Sequence, residues 1–217
     1  MTTSAAAQLT PEKALIFRVT HIANVPWILE HGLHCRNAGV CDPNYREIGD
    51  PDLIDKRAHR EVQVPPRGTL SDYIPFYFTP FSPMLYKIKT GHQGINQIPM
   101  PDIVVLVSSL HKLTEQGVEF VFTDRHAYLQ TASFSRSMED LKLLDWRSLR
   151  ARDFKRNPDD PGKFERYQAE ALIHRHLPLN ALAGVACNGP AQRSAVEAEV
   201  AQRGLGLQVL AMPEWYF

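Results

Sequence analysis

The sequence predicts an α+β fold built on a mixed, mostly antiparallel sheet. Three observations carry that prediction. Strand-like and helix-like segments follow one another without a regular βαβ rhythm. No Gly-x-Gly-x-x-Gly and no P-loop occurs in the 217 residues. The most convincing strand, Asp102 to Ser108, is a continuous apolar run of the kind that a sheet buries on both faces.

The elements follow in order. Residues 1–13 read as a disordered start that ends in a helix cap at Thr10-Pro11-Glu12. Ala14 to Thr20 is rich in β-formers and reads as a strand. After a turn at His21 to Asn24, apolar spacing through Val25, Ile28 and Leu29 predicts a helix to His31, stopped by Gly32. Residues 34–67 are polar and irregular apart from a short helix over Pro51 to His59, and so long a connection is usually functional. A strand over Ile74 to Thr79 and a helix over Met84 to Thr90 flank a Pro-Phe-Ser-Pro turn, and Gly91 to Pro101 is a loop. Past the Asp102 strand come a helix over Ser109 to Gln116, closed by Gly117, and a short strand over Phe120 to Thr123. Ser137 to Leu143 and Trp146 to Leu149 read as short helices, Arg150 to Lys163 as a charged loop, and Phe164 to Leu172 as strand or helix. Leu182 to Cys187, Pro190 to Arg203 and Leu207 to Met212 complete a strand, helix, strand series.

Bulk composition excludes several classes. Hydrophobic content of 44% and charged content of 22% are those of a soluble globular chain, and no linker divides it, so one domain over 1–217 is expected. The net charge is zero, so contact with nucleic acid needs a local patch; Lys142, Arg147, Arg150, Arg152, Lys155 and Arg156 form a candidate, against the plainer reading of a solvated face. Cys35, Cys41 and Cys187 suit neither a disulfide framework nor a zinc site, and free thiols in a reducing compartment are expected. No signal peptide and no membrane-length apolar run is visible, so a cytoplasmic protein is expected, with no membrane partner. The histidines form no metal set, so no metal is expected.

The run from Gly68 to Tyr86 is the most unusual segment. It packs aromatics, prolines and hydroxyls together, where a plain core strand would alternate and a plain helix would exclude proline. Aromatic faces on a stiff turn suit a flat heteroaromatic ring, and a buried edge strand with a proline stop fits the composition equally well.

With Phe17-Arg-Val-Thr-His-Ile-Ala-Asn-Val-Pro-Trp-Ile-Leu-Glu-His-Gly32, Lys56-Arg57, Phe120-Val-Phe-Thr-Asp-Arg-His126, Tyr167-Gln-Ala-Glu170 and the aromatic end Trp215-Tyr216, this run resembles the DarT family of DNA ADP-ribosyltransferase toxins. The resemblance spans nearly the whole chain. It implies an ADP-ribosyltransferase-like fold, with two small mixed or antiparallel sheets around an NAD cleft and peripheral helices. It also implies transfer of ADP-ribose from NAD to a base, typically thymine, in single-stranded DNA, and a macrodomain antitoxin partner that reverses the modification.

By match to the family, Glu170 is the expected catalytic carboxylate, stabilising the oxocarbenium-like charge on the ribose, and Arg57 the cation on the acceptor side. An arginine stays protonated, so the general base is left open between Glu170 and other groups. Arg18 and Thr20, on one face of the first strand, are expected to hold NAD, with Tyr77 and Phe78 near the nicotinamide and Ser82 on the ribose. Two positions depart from the family: Arg18 where many members carry histidine, and Phe81 where they often carry arginine. Arg125, His126, Arg147, Arg150 and Arg152 are the candidate DNA contacts. The alternatives are the same fold acting on RNA or protein, the same fold removing a 2′-phosphate from RNA, or a non-catalytic nucleic-acid-binding module.

Overall fold

The structure, a computed structural model, describes residues 5–217. Residues 1–4 of the expected disordered start lie outside the described residues. Residues 5–13 are ordered: Ala5–Gln8 form a 3-10 turn, Leu9 is buried in the core, and Arg150 donates to the Leu9 carbonyl at 3.2 Å.

Strand β1 (Leu15–His21) starts one residue later than predicted, because Ala14 takes φ 42° and its N–H closes a turn onto Thr10. Helix α1 (Val25–His31) ends at Gly32, whose φ is 73° and where an added Cβ would collide with the Leu177 carbonyl. The ribbon strand β2 (Leu33–His34) follows. Helix α2 (Pro51–Arg57) is started by proline and by Asp50, whose carboxylate accepts from Leu53 N–H at 3.2 Å. Strand β3 (Tyr73–Tyr77) leads through the proline turn to α3 (Pro83–Thr90), and Ser82 Oγ caps that helix. Next come β4 (Ile103–Ser109), α4 (Leu110–Glu115), β5 (Phe120–Thr123), β6 (Phe134–Ser135) and α5 (Trp146–Ala151). The ambiguous segment at 164–172 divides: α6 (Lys163–Arg166) is one helical turn, and β7 (Glu170–His174) is a buried strand. The chain closes with β8 (His176–Leu177), β9 (Gly184–Cys187), α7 (Pro190–Gln202) and β10 (Gln208–Ala211).

Eight strands form one sheet in the order β10-β9-β4-β1-β3-β7-β5-β6, and β2 pairs with β8 in a small ribbon. Among the described residues only β9 and β10 run parallel, joined through α7. The two small sheets expected from the resemblance are thus the two halves of one hydrogen-bonded sheet. Their joint is narrow. β1 matches β4 from Leu15↔Ser109 to His21↔Ile103, whereas β1 meets β3 only at Phe17↔Tyr77. Tyr77 is in turn paired with Glu170 on β7. Beyond this row the halves part. Pro75 has no N–H to offer β1, and its carbonyl accepts instead from Arg18 Nη1 at 2.9 Å.

The core lies against this sheet. Period two in the aromatic run turns Tyr77 toward the parting and Phe78 into the interior. Phe78 is fully buried, edge-on to Phe122 at 6.2 Å and to Trp146 at 5.7 Å. At the C-terminus, Tyr216 OH donates to the Ala186 carbonyl at 2.9 Å, with the Ile103 carbonyl 3.1 Å away, fastening the last residues across β9 and β4. Phe78→Ala should lower the unfolding free energy by about 3–5 kcal/mol in chemical denaturation. A loss below about 1 kcal/mol would mean that the ring is not a packing residue.

Candidate active site

Glu170 opens β7 at the joint of the two half-sheets, and its side chain is 2% exposed. Its N–H donates to Thr123 Oγ1 at 3.1 Å, and that hydroxyl donates to the Arg125 carbonyl at 2.6 Å. Each carboxylate oxygen has its own donor. Arg57 Nη1 lies 2.9 Å from Oε2, and the Ala127 N–H lies 3.0 Å from Oε1. Burial pushes the Glu170 pKa up, but the Arg57 guanidinium and the Ala127 N–H outweigh it and hold the carboxyl below its ordinary value. Glu170 is therefore an anion near neutrality.

His126 Nδ1 is 3.4 Å from Glu170 Oε1, a separation that suggests an ion pair. Its surroundings argue otherwise. Nδ1 accepts the Tyr128 N–H at 3.2 Å, and a lone pair so used carries no proton. Burial lowers the His126 pKa, and Arg57 and Lys87 lower it further against the opposing pull of Glu170. His126 is neutral, with its hydrogen on Nε2. Burial, and then the Glu170 charge, push the Tyr77 hydroxyl pKa up, so Tyr77 stays a neutral phenol, 3.8 Å from Met84 Sδ.

These groups line a cleft of about 580 Å³ that opens where β1 and β3 part. Arg18, Tyr77, Met84, Arg57, His126 and Glu170 form its inner end, while Trp27, His34, Tyr45, Glu47, Asp50 and Ile54 build the outer wall. The buried Asn24 fixes that wall. Its Oδ1 accepts Arg46 N–H at 2.8 Å, and its Nδ2 lies 3.0 Å from both Arg46 O and Thr20 Oγ1. Two guanidinium nitrogens in the cleft, Arg18 Nε and Arg57 Nη2, are buried without a hydrogen-bond partner among the described residues. Such donors fit an anionic, acceptor-rich ligand. Among the described residues, no group of three or more His, Cys, Asp or Glu side chains could hold a metal ion.

The structure brings together Glu170, Arg57, Arg18, Tyr77 and His126. It does not bring Thr20, Phe78 or Ser82 to the cleft. Thr20 is 1% exposed and engaged with Asn24, so it acts on the wall through Asn24. Phe78 is a core ring on the face opposite Tyr77. Ser82 is 1% exposed, and its hydroxyl accepts the Leu85 N–H. The five expected DNA contacts also separate. His126 sits beside Glu170, and Arg125 is held by Asp124 at 2.9 Å. Arg147 lines a separate hollow of about 500 Å³ with Asp145, Asp153 and Asp160. Arg150 holds the Leu9 carbonyl. Arg152 donates to the Glu214 carbonyl and stands 3.5 Å over the Phe81 ring, so the departure at Phe81 supplies a seat for a cation. Sequence reasoning missed Asn24, Met84 and the Ala127 N–H. Only a contact to a distant loop reveals Asn24, and a backbone donor has no residue-type signal at all.

Comparison with known proteins gives a consistent result. A family model described as ssDNA thymidine ADP-ribosyltransferase, DarT, matches residues 17–217. A DNA ADP-ribosyl transferase of Escherichia coli O127:H6 is 50% identical over 211 residues, which cover 97% of this chain and 97% of that protein. Thermus sp. 2.9 DarT in complex with ADP-ribosylated ssDNA superposes with a TM-score of 0.87 at 34% identity, covering 95% of this chain and 98% of that one. The same Thermus protein in complex with NAD+ gives a TM-score of 0.82 at 34% identity, over 95% of this chain and 99% of that one.

The buried pair makes a prediction about acid. With its folded pKa below the ordinary value of 4.5, Glu170 contributes stability that is fully present above pH 4.5 and is lost as pH falls through the lower folded value. Arg57→Ala removes the largest influence opposing burial, so the Glu170 pKa rises and that stability is lost at higher pH. At neutral pH the substitution should cost about 3–5 kcal/mol, because it strands a buried charge. Titration of the Glu170 carboxyl carbon by NMR, with melting temperature followed against pH, checks both. An unmoved pKa would remove Arg57 as the stabilising partner.

Proposed function

This chain belongs to the DarT family, ssDNA thymidine ADP-ribosyltransferases, and from that premise we propose how its own residues perform the transfer. NAD occupies the cleft as co-substrate, with its scissile ribose beside Glu170. The donors left unpaired on Arg18 and Arg57 face an acceptor-rich dinucleotide, and at Arg18 a guanidinium offers the bidentate grip on pyrophosphate that a histidine cannot. No glycine loop is needed for this grip. Tyr77, a neutral phenol backed by Met84, supplies the flat wall for the nicotinamide ring.

In the step itself the bond between the nicotinamide nitrogen and the ribose anomeric carbon breaks. Its electron pair leaves on nicotinamide and discharges the pyridinium. Positive charge grows on the ribose, and the Glu170 carboxylate, fixed by Arg57 and Ala127 N–H, stabilises it without reorganisation. Thymine N3 donates the pair that forms the new bond to that carbon, and its proton is lost. Arg57 supports the developing charge on the base. Glu170 is the nearest anion able to take the proton, and His126, neutral with a hydrogen on Nε2, serves to orient and not to abstract.

The observation that carries this reading is one buried, ionised carboxylate at the inner end of a cleft lined by cationic donors. The DNA acceptor is favoured over RNA or protein because the family description and the Thermus complex both name single-stranded DNA. The same description sets aside the non-catalytic binding module.

Three further points belong to the proposal. Residues 1–217 act as one ADP-ribosyltransferase domain, supported by a main core cluster that contains Leu9 and has Phe217 packed against it, beside a smaller cluster around Val121 and Leu172. The protein is a cytoplasmic toxin, supported by the free thiols of Cys35, Cys41 and Cys187. Among the described residues no helix is long and apolar enough to cross a membrane. A macrodomain antitoxin reverses the modification, as the sequence resemblance implies.

Short oligonucleotides incubated with NAD and read by mass spectrometry test the reading. A gain of one ADP-ribose unit is expected on a thymine-containing strand, with none on its thymine-free counterpart. Glu170→Gln should lower the transfer rate about 10²–10⁴-fold. Label on both strands, or a Glu170→Gln enzyme of ordinary activity, would overturn it.

A further inference from the structure

Arg60 is an unusual arginine. It is 6% exposed, yet among the described residues no carboxylate lies within ion-pair distance of it. It is satisfied instead by one loop. Nη2 donates to Leu129 O at 2.9 Å, Nη1 to Gln130 Oε1 at 3.0 Å, and Nε reaches Ala127 O at 3.5 Å. A buried guanidinium bound only to neutral acceptors costs free energy to place, and it grips several acceptors of one loop in a fixed fork. Its own mount is stiff. The Arg60 N–H bonds Arg57 O at 3.2 Å, and its carbonyl accepts from Leu70 N–H at 2.9 Å. One turn of chain thus sends Arg57 to the Glu170 carboxylate and Arg60 to the loop whose Ala127 N–H meets that carboxylate's other oxygen.

What this grip presents is Tyr128. Its carbonyl neighbours on both sides, Ala127 and Leu129, are held by Arg60, and its own N–H is held by His126 Nδ1. The side chain nevertheless stays exposed. Among the described residues the exposed aromatics are Tyr45, Tyr86 and Tyr128. Tyr45 lines the cleft, and Tyr86 packs against Phe154 and Phe217. Among the described residues Tyr128 packs on no aromatic ring, and it does not line the cleft, yet it stands two residues from His126, which does. Two residues span at most about 7 Å of backbone.

Resting on the reading above, we propose that the loop at 126–130 is the acceptor-binding element, that Tyr128 presents the face on which a base of the DNA strand stacks, and that Arg60 is the positioning residue that holds this face in place. A ring fixed on a tied backbone loses little entropy when a base covers it. Base–aromatic stacking serves any sequence and needs no excess of surface charge, which this neutral chain lacks.

Steady-state transfer to a thymine-containing oligonucleotide at saturating NAD tests this. Tyr128→Ala should raise the KM for the oligonucleotide about 10-fold or more and change kcat by less than roughly 3-fold, since the ring touches no reacting atom. Tyr128→Phe should keep the wild-type KM. Arg60→Lys keeps the charge but cannot reach three acceptors, so it should raise KM and also lower kcat, because Ala127 N–H leaves the carboxylate. Thermal denaturation checks that this variant is folded, and the exposed Tyr128 variants test the stacking face whether or not it is. A wild-type KM in Tyr128→Ala, or a loss in Tyr128→Phe equal to that in Tyr128→Ala, overturns the stacking face. Wild-type kinetics in a folded Arg60→Lys enzyme overturn the clamp. A wild-type enzyme that leaves every single strand unmodified defeats the activity itself, which separates that failure from this one.

Discussion

A carboxylate stays ionised inside a protein only if charge and hydrogen bonds replace the water it has lost, and the contact between Glu170 and Arg57 meets that demand here. Much of the fold is arranged around it. Glu170 enters from a central strand, where pairing with Tyr77 and β5 leaves it no freedom to swing outward. Arg57 arrives from the far end of an irregular connection, and α2 exists to deliver it. Proline and Asp50 start that helix, and a cation at its last residue suits the negative end of the helix dipole. Nη2 of Arg57, a residue that lines the cleft, is buried without a hydrogen-bond partner among the described residues. One guanidinium therefore both stabilises the carboxylate and keeps a hydrogen bond in reserve for a ligand.

The cleft comes from a flaw in the sheet. Eight strands hydrogen-bonded along their full length would leave no space for a dinucleotide at their centre. Here β1 and β3 share one residue pair and then diverge. Proline at position 75 cannot extend the ladder, and Arg18 bridges the gap with a side chain. That substitution of guanidinium for backbone keeps the halves together and leaves a polar opening. The chain can then hold phosphates with side chains and does without a glycine-rich loop. The outer wall depends on a second substitution of the same type. Asn24 offers Arg46 both an acceptor and a donor, as a neighbouring strand would, and so fixes a loop that has no strand of its own.

The elements were largely legible in the sequence, because each is specified locally. Spacing of Val25, Ile28 and Leu29 with a terminal glycine gives α1 its bounds, and the apolar run before Ser109 gives β4 within a residue. That Glu170, Arg57 and Tyr77 would meet in one cleft was expected from the family resemblance and not from residue chemistry, since a lone glutamate reads first as a surface residue. Legibility failed where one feature has two uses. Thr20 shares the alternation of Arg18, but the twist of β1 carries it to Asn24 and not to the opening. Phe78 adjoins Tyr77 in sequence and opposes it in space. Ser82 precedes a proline-started helix, where a hydroxyl is consumed as a cap. The number of sheets was not legible, since one residue pair decides whether two half-sheets are joined.

The same ambiguity governs the basic residues. A sequence cannot say whether a cation is free or spent, and here most near the expected acceptor surface are spent. Arg125 is bound by Asp124, whereas Arg147 is exposed at the edge of a hollow whose aspartates are taken by Lys163 and Arg166. Arg150 and Arg152 secure the two ends of the chain, on Leu9 and Glu214. With the net charge at zero, no global positive field draws in a polyanion, and attraction rests on local cations such as Arg147. Groups that act at contact range then add recognition. The loop beside Glu170 supplies that kind of group: a neutral imidazole, a backbone N–H already aimed at the reacting centre, and an exposed ring on a backbone too tightly tied to turn away. Short-range recognition of this type favours a base that is already unstacked, because a flat ring can be covered only by another flat ring that has lost its own neighbours. In the proposed stacking, a preference for single strands over duplex follows from the exposed Tyr128 ring two residues from His126, without any reading of the phosphate backbone.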